Sequence, residues 1–311
     1  MKFDYIKCHG SGNEFVMVDA TNHFPKEINL SELARFICNR EAAVGADGIL
    51  LLVKNGDMYG MRMFNPDGSE AEMCGNGIRC VARLAEEKVG SRKFNMFSGK
   101  GTYGISREED IYSGIPTFGV DLSVRLSSDD FGFAKGAAHF ISQPIEPLDN
   151  ELLWTAINVG NPHIVAEVKE IDYDKLTCLG ERVLELHEEF PKGINVSLVK
   201  VLGENRIFVA TYERGAGITA SCGTAMTSSA TAMALNNRCN YEAVIEVENR
   251  GGAVRCICHE EDGMHTQLIG NASYISYGSI VAMNGQFEYT ELGKFDDEIA
   301  LYNEFLATKM K

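Results

Sequence analysis

The sequence predicts an α+β protein of two pseudo-symmetric domains, each a mostly antiparallel sheet curled around a central helix. Two observations predict it. Short motifs recur at one spacing: Met73-Cys74-Gly75-Asn76-Gly77-Ile78 returns as Ser221-Cys222-Gly223-Thr224-Ala225-Met226, Gly12-Asn13 as Gly160-Asn161, and Gly45-x-Asp47 as Gly193-x-Asn195, each pair 148 positions apart. Motifs repeated at a fixed offset mark a duplicated unit. Strand-like segments also outnumber helical ones and come in pairs joined by tight turns, which disfavours a doubly wound parallel sheet with a crossover helix after every strand. At 311 residues the chain suits two domains. They are expected as residues 1–120, completed by the C-terminal segment 277–311, and residues 121–276.

Strands are expected at Phe3–Cys8 and Glu14–Asp19, around the turn His9-Gly10-Ser11-Gly12-Asn13. Asn29, with Glu32 three residues on, offers a helix cap before the apolar face Leu30, Leu33, Phe36 and Ile37. Strands at Ile49–Val53 and Tyr59–Phe64 lead to the turn Asn65-Pro66-Asp67-Gly68. The first cysteine helix follows from Gly75 to Lys88, burying Ile78, Val81, Ala82 and Leu84, with Gly90 as its stop. Strands at Lys93–Phe97 and Thr102–Ile105 close the unit, and Glu108–Thr117 reads as an irregular linker. The second unit repeats the scheme: strands at Ala156–Val159 and Ile164–Val168, a helix near Cys178–Glu189, strands near Asn195–Val201 and Arg206–Tyr212, then the second cysteine helix from Gly223 to Asn236. Four more strands follow, near Ala243–Val247, Ala253–Cys258, Thr266–Leu268 and Ser273–Ser276. In the tail, Phe295, Ile299, Tyr302, Leu306 and Met310 recur at helical spacing and predict an amphipathic helix docked on the protein's own surface.

The net charge of −15 argues against a nucleic-acid or anionic-membrane partner, both of which bind through Lys and Arg. No run of about 18 apolar residues is long enough to span a bilayer, and the first residues lack the apolar core and cleavage site of a secretory signal. Nine cysteines, an odd number, fit reduced thiols in a cytoplasmic enzyme better than a disulfide framework. Cys8, Cys38, Cys178 and Cys239 read as small buried or half-buried hydrophobes. Cys256-x-Cys258-His259 alternates within a strand-like run and lacks a second ligand pair at zinc spacing, so no metal is expected.

The matched thiols are the strongest chemical signal. A thiolate, not a thiol, removes a proton, and a helix N-terminus stabilises it through unpaired N–H groups and the helix dipole. Gly75-Asn76-Gly77 and Gly223-Thr224-Ala225 would also offer backbone donors to a substrate carboxylate. One cysteine beside a turn is most simply structural; two at matched positions of a repeat favour chemistry. Glu213-Arg214 before the second cysteine forms either an exposed ion pair or a clamp, Arg214 on a carboxylate and Glu213 on an ammonium. His163 is either a satisfied structural histidine or a polar partner of a reacting centre. Asn13, Asn65, Asn161 and Asn195 fall in expected turns, where asparagine serves backbone geometry.

Taken together, Gly10-Ser11-Gly12-Asn13-Glu14-Phe15, Gly45-Ala46-Asp47-Gly48, Phe64-Asn65-Pro66-Asp67-Gly68-Ser69, Met73-Cys74-Gly75-Asn76-Gly77-Ile78-Arg79, Gly160-Asn161-Pro162-His163 and Glu213-Arg214-Gly215-Ala216-Gly217 closely resemble the diaminopimelate epimerase family. The resemblance runs from Lys2 to about Gly278. It implies that family's fold and a cofactor-independent epimerase, interconverting LL- and meso-diaminopimelate in bacterial lysine and peptidoglycan synthesis. The implied partner is a small amino-acid substrate, and the implied assembly a homodimer. By position Cys74 and Cys222 match the two acid/base thiols, and His163 and Glu213 match residues at the reacting centre. Asn13, Asn65, Asn161, Asn195 and Arg214 match substrate-holding positions; Gly75, Asn76, Gly223 and Thr224 match donors to the reacting carboxylate. The usual second motif of the family resembles Ala-Cys-Gly-Thr-Gly-Ala; here Ala225 puts a methyl into that turn and Met226 a bulky group on the helix. Two other readings stand beside this one: a racemase for another amino acid, such as histidine, on the same scaffold, and a thiol-based redox or binding protein. Against the last, neither Cys74 nor Cys222 lies in a Cys-x-x-Cys motif.

Overall fold

Two antiparallel strands, β1 (Lys2–Gly10) and β2 (Asn13–Asp19), open the chain, joined by a turn in which Ser11 and Gly12 take positive φ of 54° and 79°. The computed structural model describes residues 1–22, 24–25, 27–126, 131–132, 137–260, 264–283 and 285–309. They form two units: residues 1–120 with 269–311, and residues 121–268. In the first unit, helix α1 (Leu30–Ile37) starts where the Asn29 side chain accepts from the Ser31 and Glu32 N–H groups. It is the crossover that lets β3 (Ile49–Asn55) lie parallel to β2. β4 (Met58–Phe64) returns antiparallel to β3, and the short β5 (Glu70–Ala71) pairs with its end. Helix α2 (Gly75–Val89) is the second crossover, carrying the chain to β6 (Lys93–Ser98), parallel to β4. β7 (Gly101–Arg107) and β8 (Thr117–Ser123) extend the sheet antiparallel. Helices cover both faces, which is why Ile49–Leu52 is a continuous buried run. Ile49 and Leu51 pack with Leu33 and Ile37 of α1, while a Cβ at Gly77 of α2 would meet Leu50 at 2.9 Å. Ala85, rather than Leu84, completes the buried side of α2.

The second unit repeats these pairings. β9 (Gln143–Ile145) flanks β10 (Asp149–Asn158), which is antiparallel to β11 (Pro162–Glu167). Helix α3 (Tyr173–Glu185) crosses to β12 (Asn195–Gly203), parallel to β11; β13 (Arg206–Glu213) is antiparallel to β12 and carries the short β14 (Gly217–Ile218). Helix α4 (Gly223–Leu235) crosses to β15 (Val244–Asn249), parallel to β13, and β16 (Gly252–His259) and β17 (His265–Asn271) follow. α3 begins earlier than its apolar spacing suggests, because Asp172 accepts from the Asp174 and Lys175 N–H groups and caps it there. Leu176, Leu179 and Val183 then form its buried side, which turns Cys178 outward; that thiol is exposed, not the buried hydrophobe expected. α4 is buried on every side up to Ala234 and packs against β10, β11, β12, β13, β15 and β16. Its Thr227 and Thr231 hydroxyls are satisfied by donating to carbonyls one turn back.

The chain then returns to the first unit. β18 (Ser273–Met283) pairs antiparallel with β1 along its length, and β19 (Gln286–Lys294), which the sequence does not announce, pairs with β18. Helix α5 (Asp296–Lys309) docks on this unit. Glu298 takes Arg83 through two bonds of 2.8 Å and also accepts from Tyr274 N. Tyr302 sets its ring edge-on to His9, with centroids 4.3 Å apart. The second buried anchor is Phe305, not Leu306; Met310 lies outside the described residues. Among the described residues no helix is long and apolar enough to cross a membrane.

Gly180 is where α3 touches β13. A Cβ there would overlap the Tyr212 ring at its Cγ. Gly180→Ala is expected to lower stability by about 1–2 kcal/mol despite the better helix propensity of alanine. A urea midpoint equal to or above that of the parent chain would contradict this packing.

Candidate active site

Both cysteines stand at the start of their helices with the same backbone geometry, though only Cys74 also makes a side-chain cap bond. Cys74 and Cys222 have extended backbones (φ −144° and −129°, ψ 113° in each), and each carbonyl accepts the first helical bond, from Ile78 N at 2.9 Å and from Met226 N at 3.0 Å. Each follows the strand pair β4–β5 or β13–β14 and opens a crossover helix. The N–H groups of the first turn have no partner within the helix and point out of its end. Both cysteines are half-buried.

In the first unit, Gly77 N donates to Cys74 Sγ at 3.4 Å. Asn76 is buried and held by a directed chain: Arg79 Nη2 donates to Asn76 Oδ1 (3.0 Å), Asn76 Nδ2 to Asn13 Oδ1 (3.3 Å), and Asn13 Nδ2 to Asp47 Oδ2 (2.9 Å). Arg40 anchors the far end by donating to Asp47 Oδ1 at 2.7 Å. Asn13, Asn76 and the Cys74 turn are thus linked. Asn65 stands apart from that chain, its amide donating to Ser69 Oγ at 3.0 Å within the turn after β4. His9 is buried against Asn271 and the Gly12 N–H, and burial holds it neutral at about 4.

In the second unit, His163 is fully buried; its Nε2 donates to Asn161 Oδ1 at 3.0 Å and lies 3.1 Å from Thr224 Oγ1 and 3.4 Å from Asn195 Nδ2. Placing the proton on Nε2 leaves only a lone pair at Nδ1, which has no hydrogen-bond partner; the other tautomer would bury an unmet N–H there. Burial, aided by the nearby Arg214 charge, lowers His163 to about 3, so it is neutral. Thr224 Oγ1 also lies 3.4 Å from Cys222 Sγ, joining the histidine to the thiol. Burial pushes the Cys222 thiol well above its ordinary value, and the Glu213 carboxylate adds to that rise. Thr219 donates to the Glu213 carboxylate. Asn195 Oδ1 accepts from Arg214 N at 3.0 Å, while Arg214 Nη1 donates to Lys192 O at 2.8 Å.

Asn161, His163, Asn195, Glu213, Arg214, Gly223 and Thr224 therefore gather around Cys222, and Asn13, Gly75 and Asn76 around Cys74. One repeat pair slips. Gly45 and Gly193 share a positive φ (72° and 67°), but β2 sets Val16 opposite Ile49 whereas β11 sets Ile164 opposite Val196. Asn195 thus sits opposite His163 on the ladder, in the place of Gly48 rather than Asp47. Ala225 is fully buried, and Met226 points into the core, where its sulfur accepts from Asn249 Nδ2 at 3.0 Å. The sequence gives no functional role to Arg79, Asp47 or Thr219, although Asp47 marks the repeat; the available signal for Arg79 was an arginine on the buried stripe of the first cysteine helix. Among the described residues no group of three or more His, Cys, Asp or Glu side chains is placed to hold a metal ion.

The diaminopimelate epimerase family model matches residues 5–112 and 155–275, which include both cysteine turns. The chain belongs to the diaminopimelate epimerase family. It is an isomerase of the epimerase type. A diaminopimelate epimerase from Clostridium acetobutylicum is 37% identical over 98% of this chain and 94% of its own length. One from Enterococcus faecalis is 35% identical over 97% of each. Among solved structures, a phenazine biosynthesis protein of the PhzF family from Bacillus anthracis superposes with a TM-score of 0.67 at 17% identity, over 91% of this chain and all of that one. A hydroxyproline epimerase from Agrobacterium vitis gives 0.61 at 12%, over 95% and 92%. At such identities the likeness concerns the fold, which is α+β and of the diaminopimelate epimerase type.

Two buried neutral histidines give a pH signature to the family scaffold here. His9 and His163 protonate in the unfolded chain near pH 6.5 but in the folded chain only near 4 and 3. Unfolding below pH 6.5 therefore takes up protons, so stability present above that pH is lost as the pH falls. The unfolding free energy is expected to drop by about 2–4 kcal/mol between pH 7 and pH 5. Equal urea midpoints at the two pH values would show that both rings are charged in the folded state.

Proposed function

We propose that the chain interconverts LL- and meso-diaminopimelate, without a cofactor, by a two-base proton transfer at the α-carbon between Cys74 and Cys222. The observation that carries this reading is the pair of equivalent helix starts, each with a cysteine as its cap. The relatives named for that reaction, aligned over nearly the whole chain, supply the substrate.

In this reading one sulfur, as thiolate, takes the α-proton while the other, as thiol, delivers a proton to the opposite face. The charge left on carbon spreads into the α-carboxylate. Donors at Gly75–Asn76 and Gly223–Thr224 hold that carboxylate and favour the negative charge it gains. Much of the barrier reduction then comes from positioning and from dipoles already oriented before reaction. Glu213, fixed by Thr219, faces the ammonium group; neutral His163, tied to Thr224, lines the reacting centre without adding charge. Asn13, Asn65, Asn161, Asn195 and Arg214 hold the rest of the substrate, whose second polar head distinguishes diaminopimelate from simpler amino acids. The two repeats act as separate domains on one substrate, in a cytoplasmic homodimer serving lysine and peptidoglycan synthesis.

The test is α-hydrogen exchange in D₂O, run separately on LL-diaminopimelate and L-histidine. Exchange and epimerisation are expected with diaminopimelate, and Cys74→Ser and Cys222→Ser should each lower turnover by about a thousandfold or more. Exchange with histidine alone would reject the substrate; wild-type turnover in both serine variants would reject the mechanism.

A further inference from the structure

The two helix starts share one design but differ in charge. Five residues after each cysteine stand Arg79 and Thr227, at equivalent positions. Each reaches back to the carbonyl of the glycine that follows the cysteine: Arg79 Nη1 donates to Gly75 O at 2.9 Å, and Thr227 Oγ1 donates to Gly223 O at 2.9 Å. Both side chains are fully buried. A neutral hydroxyl is therefore enough to tie the turn. The first unit uses a guanidinium instead, although taking such a group out of water costs several kcal/mol before its contacts compensate.

The slot around that guanidinium is cleared for it. A Cβ on Gly10 of β1 would come within 3.0 Å of Arg79 Nη2, and one on Gly270 of β17 within 2.9 Å. Arg79 also donates to Ser11 Oγ at 3.2 Å and to Asn271 O at 3.4 Å. His9, on the same network, stays neutral. Because Nη2 donates to Asn76 Oδ1, the Asn76 amide nitrogen must turn to Asn13, whose own nitrogen then turns to Asp47. The orientation of both amides is thus set by a cation at one end and a carboxylate at the other. Behind Cys222 the sign is reversed: the charged neighbour of that thiol is the Glu213 carboxylate.

We propose that Arg79 is a positioning residue that makes the two cysteines unequal, holding positive charge beneath the first turn of α2 so that the anion of the proton transfer rests at Cys74. This rests on the functional reading above and adds which sulfur starts as the base. In the direction that begins at Cys74, the α-proton passes to its thiolate and Cys222 gives up its own proton; in the reverse direction the anion returns to Cys74.

Alkylation by neutral iodoacetamide at pH 7.5, followed at each cysteine by peptide mass spectrometry, tests it without turnover. In the parent chain Cys74 is expected to react about tenfold faster than Cys222 or more. Arg79→Lys, which keeps the charge, should preserve that ratio; Arg79→Gln, which keeps donors without charge, should lower it about tenfold and leave the Cys222 rate unchanged. Faster reaction at Cys222 in the parent chain overturns the proposal whatever the variants do, and so does a parental ratio in a folded Arg79→Gln. If the ratios follow expectation but no exchange occurs with diaminopimelate, the functional reading alone is at fault.

Discussion

A helix start held inside a curled sheet is the constraint on which each unit depends. α4 can be buried on almost every side only because strands surround it, and α2 can bury its first turns only because β1, β2, β3, β4 and β6 close over them. At that buried end the first N–H groups have no helical acceptor, and the shell of strands limits what can satisfy them. A cysteine at the cap gives them a polarisable neighbour, and the same electrostatics would favour an arriving carboxylate. The thiol position, the donors and the parallel crossovers that deliver the helices are thus consequences of one arrangement.

Duplication preserved the frame and let the polar lining diverge. The order of pairings, antiparallel then parallel then antiparallel, is the same in both units, and the cysteine caps match in backbone geometry. Yet Asn76 answers Thr224, and Arg79 answers Thr227. One unit carries a chain of charges and amides running from Arg79 to Arg40. The other carries a neutral histidine joined to its thiol through a hydroxyl. Hydrophobic packing fixes the frame and tolerates such exchanges where the groups exchanged keep their hydrogen bonds, as Arg79 and Thr227 both do to the glycine carbonyl one turn back.

What local chemistry encodes was legible before any coordinates. The Asn29 cap, the Gly90 stop, the Asn65–Gly68 turn and the cysteine turns are short-range features, and each stands where its residues indicate. The gathering of His163, Asn161 and Asn195 was reachable only through family resemblance, since turn asparagines carry no functional signal of their own. Ladder register was not legible: the slip that sets Asn195 opposite His163 is decided by pairing between distant strands. Cys178 is exposed because Leu176, Leu179 and Val183 form the buried side of α3 and leave the thiol on the opposite face, which residue type alone does not reveal. Arg79 lay in full view but reads as an ordinary helix residue until Gly10 and Gly270 are seen to make room for it.

β1 is hydrogen-bonded along its length to β18, and the amino group of Met1 donates to Ala282 O at 2.6 Å. β1 must wait for a partner strand more than 260 residues further along the chain, as the pairing of Lys2 with Val281 shows. During synthesis the middle of the chain, residues 121–268, has all its own partners in hand while the opening segment still lacks an edge. Long-range pairing of this kind is slow and leaves a strand unprotected in the meantime. A chain lacking β18 would present the bare edge of β1 to any neighbour able to add a strand.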